Sequence, residues 1–189
     1  MSIVGARRVV DAVTDFLTRS DSARKSLNDS LAVYRSQEGL SSSQLPDVAT
    51  IGSYVYLGMT FSGSSPYVTV EWEGSEAETD NNSREIPHQL SLYLLLLDKD
   101  MGSPTWETMV QRALDYDAVV RSMLLRATTP GAYGYTLNNG GPSASPTRGR
   151  ILRATITDSA IIVDEELNQD NILMRWGLSV TALEDYPGA

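Results

Sequence analysis

The stretch from His88 to Ala127 constrains this chain most. It opens with His88-Gln89-Leu90-Ser91-Leu92-Tyr93-Leu94-Leu95-Leu96-Leu97-Asp98, the most hydrophobic segment of the sequence. Read as a strand, it places Leu90, Leu92, Leu94 and Leu96 on one face, because strand side chains alternate. The other face begins polar at Ser91 and turns apolar through Tyr93, Leu95 and Leu97. A strand apolar on both faces at one end is covered on both sides there. That describes a central strand, or one whose second face meets another subunit. Leucine is not a strong strand former, so a short buried helix is the competing reading.

A polar turn, Lys99 to Pro104, leads into the best helical pattern of the chain. Ser103-Pro104-Thr105 offers a capping hydroxyl, and Glu107 lies in the first turn, where the helix dipole favours a carboxylate. Trp106, Met109, Ala113, Tyr116, Val120, Leu124 and Ala127 recur on one stripe, with Gln111, Asp115, Ser122 and Arg126 opposite. Pro130-Gly131 ends the pattern. The nucleus is therefore a strand, a tight connection and a long helix folded back on the sheet.

On either side of this nucleus the pattern is shorter-ranged. Ile3 to Arg19 reads as an amphipathic helix, with Ile3, Ala6, Val10, Val13 and Leu17 on one face, widened by Val9 and Phe16. Ser20-Asp21-Ser22 breaks it and can cap a second helix through Gln37, whose thin apolar stripe is Leu27, Leu31 and Tyr34. Gly39 is a fitting C-terminal stop. Gly39 to Pro46 is a serine-rich loop, and Ile51 to Phe61 is a strand or an arm. Pro66 to Glu73 alternates as a strand. Gly74 to Pro87 is a long acidic hairpin loop or arm, and Pro130 to Gly149 a second long loop. Arg150 to Thr157 is a strand, resumed by Ile161-Ile162-Val163 after a turn; Asp164 to Asp170 is an acidic turn. Ile172 to Leu183 is the last strand. It carries Leu173, Arg175, Gly177, Ser179 and Thr181 on one face and Ile172, Met174, Trp176, Leu178, Val180 and Ala182 on the other. This order predicts a single α+β domain over 1–189: a mainly antiparallel sheet of about four strands, a long helix packed on it, and N-terminal helices.

Composition narrows the chemistry. With 189 residues and 41% hydrophobic content the chain can bury a core. It has no cysteine, which removes disulfides, thiolate metal sites and cysteine nucleophiles. The longest apolar run, Leu94 to Leu97, is too short to span a bilayer. The first residues lack the charge-then-apolar order of a secretory signal, so a soluble, non-secreted protein with no membrane partner is expected. The net charge of −9 disfavours a broad grip on nucleic acid, which needs clustered Lys and Arg. Arg7-Arg8, Arg24-Lys25 and Arg148 with Arg150 are the close basic pairs, and they are far apart in sequence.

No catalytic, cofactor-binding or metal-binding constellation stands out. His88 is the single histidine, and following Pro87 it reads as an edge or turn residue rather than a triad member. Asp164-Glu165-Glu166 with Asp170 lacks the ligand alternation and central glycine of a calcium loop, and reads as a solvated turn. Asp98-Lys99-Asp100 is a commonplace triplet after a strand. Gly131-Ala132-Tyr133-Gly134 and Asn139-Gly140-Gly141 are not phosphate loops, since no lysine follows and no helix opens there.

Taken in order, the N-terminal helix, Tyr67-Val68-Thr69-Val70, Leu90-Ser91-Leu92-Tyr93-Leu94 ending in Asp98, the helix Trp106 to Arg126, the strand Arg150 to Thr157 and the strand Met174 to Leu183 form one pattern. In element order and hydrophobic pattern it resembles the tail terminator, or tail completion, proteins of long-tailed bacteriophages. Residues 20–65, an extra helix and arm, depart from the smallest members, as do the long loops at 74–87 and 130–149. The resemblance implies a structural virion protein without enzyme activity or cofactor, assembled in the host cytoplasm. It implies a hexameric ring that caps the tail tube protein, meets the head connector proteins and lets DNA through its lumen without specific binding. Two alternatives are another head–tail adaptor, such as a head-closure or sheath-binding protein, and a carboxylate-only metal-dependent enzyme. In the ring reading the two long loops are expected to carry contacts between subunits or to partners.

Overall fold

The computed structural model describes residues 6–18, 20, 25–53, 65–75, 85–97, 102, 104–128, 151–162 and 171–183. Its elements are α1 (Ala6–Thr18), α2 (Leu27–Glu38), β1 (Thr50–Ser53), β2 (Tyr67–Ser75), β3 (Glu85–Leu97), α3 (Trp106–Thr128), β4 (Ile151–Ile162) and β5 (Asn171–Leu183). The fold is α+β: a five-stranded sheet in the order β1-β2-β3-β5-β4, antiparallel except for the β1–β2 pair. The sheet has one strand more than the sequence pattern predicts. β1 takes four residues from the Ile51–Phe61 segment and its flank, and its parallel partner, β2, begins only at Tyr67. Residues 54–61 of that segment lie outside the described residues.

β3 is a strand, not a buried helix, and it is central. It pairs with β2 on one side and β5 on the other, so both of its ladders are filled along most of its length. Leu90, Leu92, Leu94 and Leu96 are buried in one core with Ile172, Met174, Trp176, Leu178 and Val180 of β5. All three helices contribute to that core: Val9, Val10, Val13 and Leu17 from α1, Leu27 and Leu31 from α2, and Met109, Ala113, Tyr116, Val120 and Leu124 from α3. The helices thus cover one face of the sheet, at a gain of ~25 cal/mol for each Å² of apolar surface removed from water.

Several local expectations need correction. Ser26, not the Ser20–Ser22 group, caps α2: its hydroxyl accepts from the Asp29 N–H at 3.2 Å and Asp29 Oδ2 accepts the Ser26 N–H at 3.0 Å, a reciprocal capping box. Hydrogen bonds from the Ser20 and Ser26 side chains and the Ser26 backbone hold the Asp29 carboxyl below the usual range. Gly39 ends α2 in the left-handed region, φ 67°, as expected. Trp106, placed on the core stripe of α3 by its spacing, is 45% exposed because it is the first helical residue and overhangs the packed turns. Thr105 supplies the α3 cap, accepting from the Thr108 N–H at 3.3 Å. His88 is neither edge nor turn: it is buried within β3, opposite Ser75 and Val180. β4 runs without a turn to Ile162. The Gly74–Pro87 loop is shorter than its composition suggests, since β2 continues to Ser75 and β3 starts at Glu85; residues 76–84 lie outside the described residues, as does all of 130–149.

Polar contacts fix the helices in place. The Asn28 side chain brackets the Val48 backbone, accepting from its N–H at 2.8 Å and donating to its C=O at 3.1 Å. Arg35 donates to the Leu45 carbonyl and to Asp47, each at 2.8 Å, and the Tyr116 hydroxyl donates to the Pro46 carbonyl at 2.5 Å. The serine-rich loop is therefore held between α2 and α3. On the sheet side of α3, Asp117 accepts the indole N–H of fully buried Trp176 at 2.7 Å and the Arg121 Nε–H at 2.9 Å. Arg121 also donates to Ser159 of β4.

Two predictions follow from these contacts. Asp117→Ala should leave the Trp176 indole N–H buried without an acceptor and cost ~1–3 kcal/mol, while Asp117→Asn, which keeps an acceptor, should cost less. Urea unfolding midpoints at constant m-value measure both, and equal costs would refute the role of the indole bond. The second prediction concerns Tyr34, whose hydroxyl donates to Asp115 at 2.8 Å. Burial, then that bond and the negative charge behind it, push its phenol up to about 12. The unfolded phenol ionises near ~10. Its contribution to stability is therefore full below that pH and is lost as pH rises through the folded value. Absorbance titration of Tyr34→Phe against the parent should remove a late-ionising phenol; removal of an ordinary one would contradict the assignment.

Candidate interaction face

The second face of the sheet, away from the helices, carries the features that distinguish this chain. Alternation sends Tyr67, Thr69, Glu71 and Glu73 of β2, Ser91, Tyr93, Leu95 and Leu97 of β3, and Leu173, Arg175, Gly177 and Ser179 of β5 to it. The face has two parts. One is apolar: Tyr93, Leu95 and Leu173 are buried, with Tyr67, Leu97 and Ile162 packed against them. The other is charged and centred on Arg175.

Arg175 sits in a central strand, where a guanidinium needs partners. Its Nε–H donates to Ser91 Oγ of β3 at 3.0 Å, one terminal nitrogen to Asp158 of β4 at 3.3 Å, and the other to Glu73 of β2 at 3.3 Å. The buried Ser91 hydroxyl in turn donates to Glu73. One side chain therefore links four adjacent strands. The Arg175 side chain is 31% exposed, Glu73 41% and Asp158 49%, so each ion pair is screened and weak by itself. The geometry confers orientation more than energy.

Both carboxylates lie at irregularities in the flanking strands, and Asp158 owes its facing to one. In β2 the register slips between Trp72, opposite Leu90, and Gly74, opposite Gln89, leaving Glu73 as the extra residue. In β4 it slips between Ile156, opposite Leu178, and Asp158, opposite Gly177, leaving Thr157 as the extra residue. An extra residue reverses the facing of everything beyond it. With the bulge, Asp158 lies on the Arg175 side and Ser159 on the Arg121 side. Without it the two would exchange faces, and so would Ile161 and Ile162. Gly177 makes room for the bulge, because a Cβ there would overlap the Asp158 carboxylate and crowd Thr157 Oγ1.

The residues singled out in the sequence do not assemble into a reactive centre here. His88 is buried in the sheet. Asp98, Lys99, Asp100, Asp164, Glu165, Glu166, Asp170, Gly131 to Gly134 and Asn139 to Gly141 lie outside the described residues. Among the described residues no group of three or more His, Asp or Glu side chains is placed to hold a metal ion. Among them, too, no helix is long and apolar enough to cross a membrane. The Arg175 cluster escaped the sequence reading because its members come from four strands. A signal was available: alternation fails after Thr157, which marks a bulge as well as it marks a turn.

No protein-family model matches the chain. No curated protein matches it.

The β4 bulge yields a prediction. Deleting Thr157 should remove the extra residue, so that Asp158 follows Ile156 by plain alternation, stays opposite Gly177 on the Arg175 side and leaves Ile161 inward. Thr157→Ala keeps the residue count and loses only the bond from Thr157 Oγ1 to Asp158 at 3.0 Å. Chemical unfolding should give the two variants similar midpoints; a large loss confined to the deletion would mean that Thr157 is not the extra residue of the ladder.

Proposed function

We propose that this chain is a structural virion protein of the tail terminator type, acting as a ring that caps a tail tube and joins it to the head connector. The observation that carries the reading is the order α1, β2, β3, α3, β4, β5 in one mostly antiparallel sheet with the long helix laid across it. That is the order on which the resemblance rests, and the extra elements, α2 and β1, fall in the 20–65 insertion. The split second face of the sheet, with an apolar part and an oriented charged part, also suits a protein that works through surfaces. In this reading a subunit contributes a rigid sheet-and-helix wedge, contacts run head to tail around the ring, and DNA passes through the lumen.

Two experiments test it. Mixed with tail tubes of its own particle, the purified chain should form closed rings at tube ends, with a mass corresponding to a hexamer, visible by electron microscopy and mass photometry. A tight dimer with its sheet faces buried between two copies would overturn the proposal, because a two-fold contact closes on itself and builds no larger ring. Rings found elsewhere in the neck would move the assignment to another head–tail adaptor.

The second experiment concerns DNA. With a net charge of −9, the protein should form no stable complex with duplex DNA at ~0.15 M salt. A gripping protein would instead lose log affinity with log salt at a slope of about −0.9 per phosphate contacted. Tight, steeply salt-dependent retention of DNA on a filter would contradict free passage through a lumen.

A further inference from the structure

We draw no further inference here: the strongest candidate, the apolar flank that half-exposed Trp106 and Leu114 form with Val110 along α3, is a bare helix face, and nothing in the structure shows what covers it.

Discussion

The β3–β5 ladder is the constraint on which the other elements depend. It runs unbroken from Glu85 opposite Leu183 to Leu97 opposite Asn171. Strand side chains repeat every two residues, so a slip of one residue would turn the leucines of β3 and the apolar stripe of β5 to opposite faces. The ladder therefore decides at once which face the helices cover. β2 extends the sheet from β3, and β4 extends it from β5. α1 packs over β1 and β2, while α3 lies over β4 and β5, tied there by Asp117, Arg121 and Trp176. A central pair that is regular throughout gives both outer halves a fixed reference.

The flanking strands are irregular where the central pair carries its polar groups. Arg175 lies in β5 between Met174 and Trp176, and Ser91 in β3 between Leu90 and Leu92. Burying part of a guanidinium is unfavourable unless carboxylates and hydroxyls meet it. The extra residue in β2 is itself the carboxylate Glu73, and the extra residue in β4 turns Asp158 outward. The same β4 bulge turns Ser159 inward to Arg121. One inserted residue thus satisfies two arginines on opposite faces of the sheet, which a regular strand with this sequence could not do.

Much of this was legible in the residues, for reasons that differ by element. β5 was clear because its two faces differ sharply along its whole length. α3 was clear because its apolar spacing is sustained and Thr105 caps it. β3 was ambiguous in sequence because leucine suits a helix; its two filled ladders, a non-local property, decide the matter. β1 was hardly legible: four residues with a parallel partner carry little local signal. The start of α2 is hard to place in sequence because several serines compete, although Ser26 with Asp29 three residues on is the capping-box spacing. Pro87, which usually marks an edge, makes His88 read as an edge residue in sequence. His88 pairs with Ser75 on one side and Val180 on the other, so it is flanked by strands on both sides. The Arg175 cluster is half legible: alternation puts Arg175, Ser91 and Glu73 on one face, but Asp158 joins them only through the β4 bulge.

The same contacts bear on what this acidic chain can do to a polyanion. Net charge alone does not prevent binding, since a few well-placed arginines can form a patch. What matters is whether those arginines are available. Arg7 lies against Asp11, Arg35 against Asp47, Arg121 against Asp117, and Arg175 between Glu73 and Asp158. Each of these guanidinium groups already has a carboxylate partner, and turning it to a phosphate would leave that carboxylate facing another anion. The penalty is largest for Arg121 and Arg175, whose positions also fix β4 against its neighbours. In the ring proposed above, Arg121 and Arg175 would serve the sheet rather than the DNA, and the acidic excess would repel a duplex in the lumen.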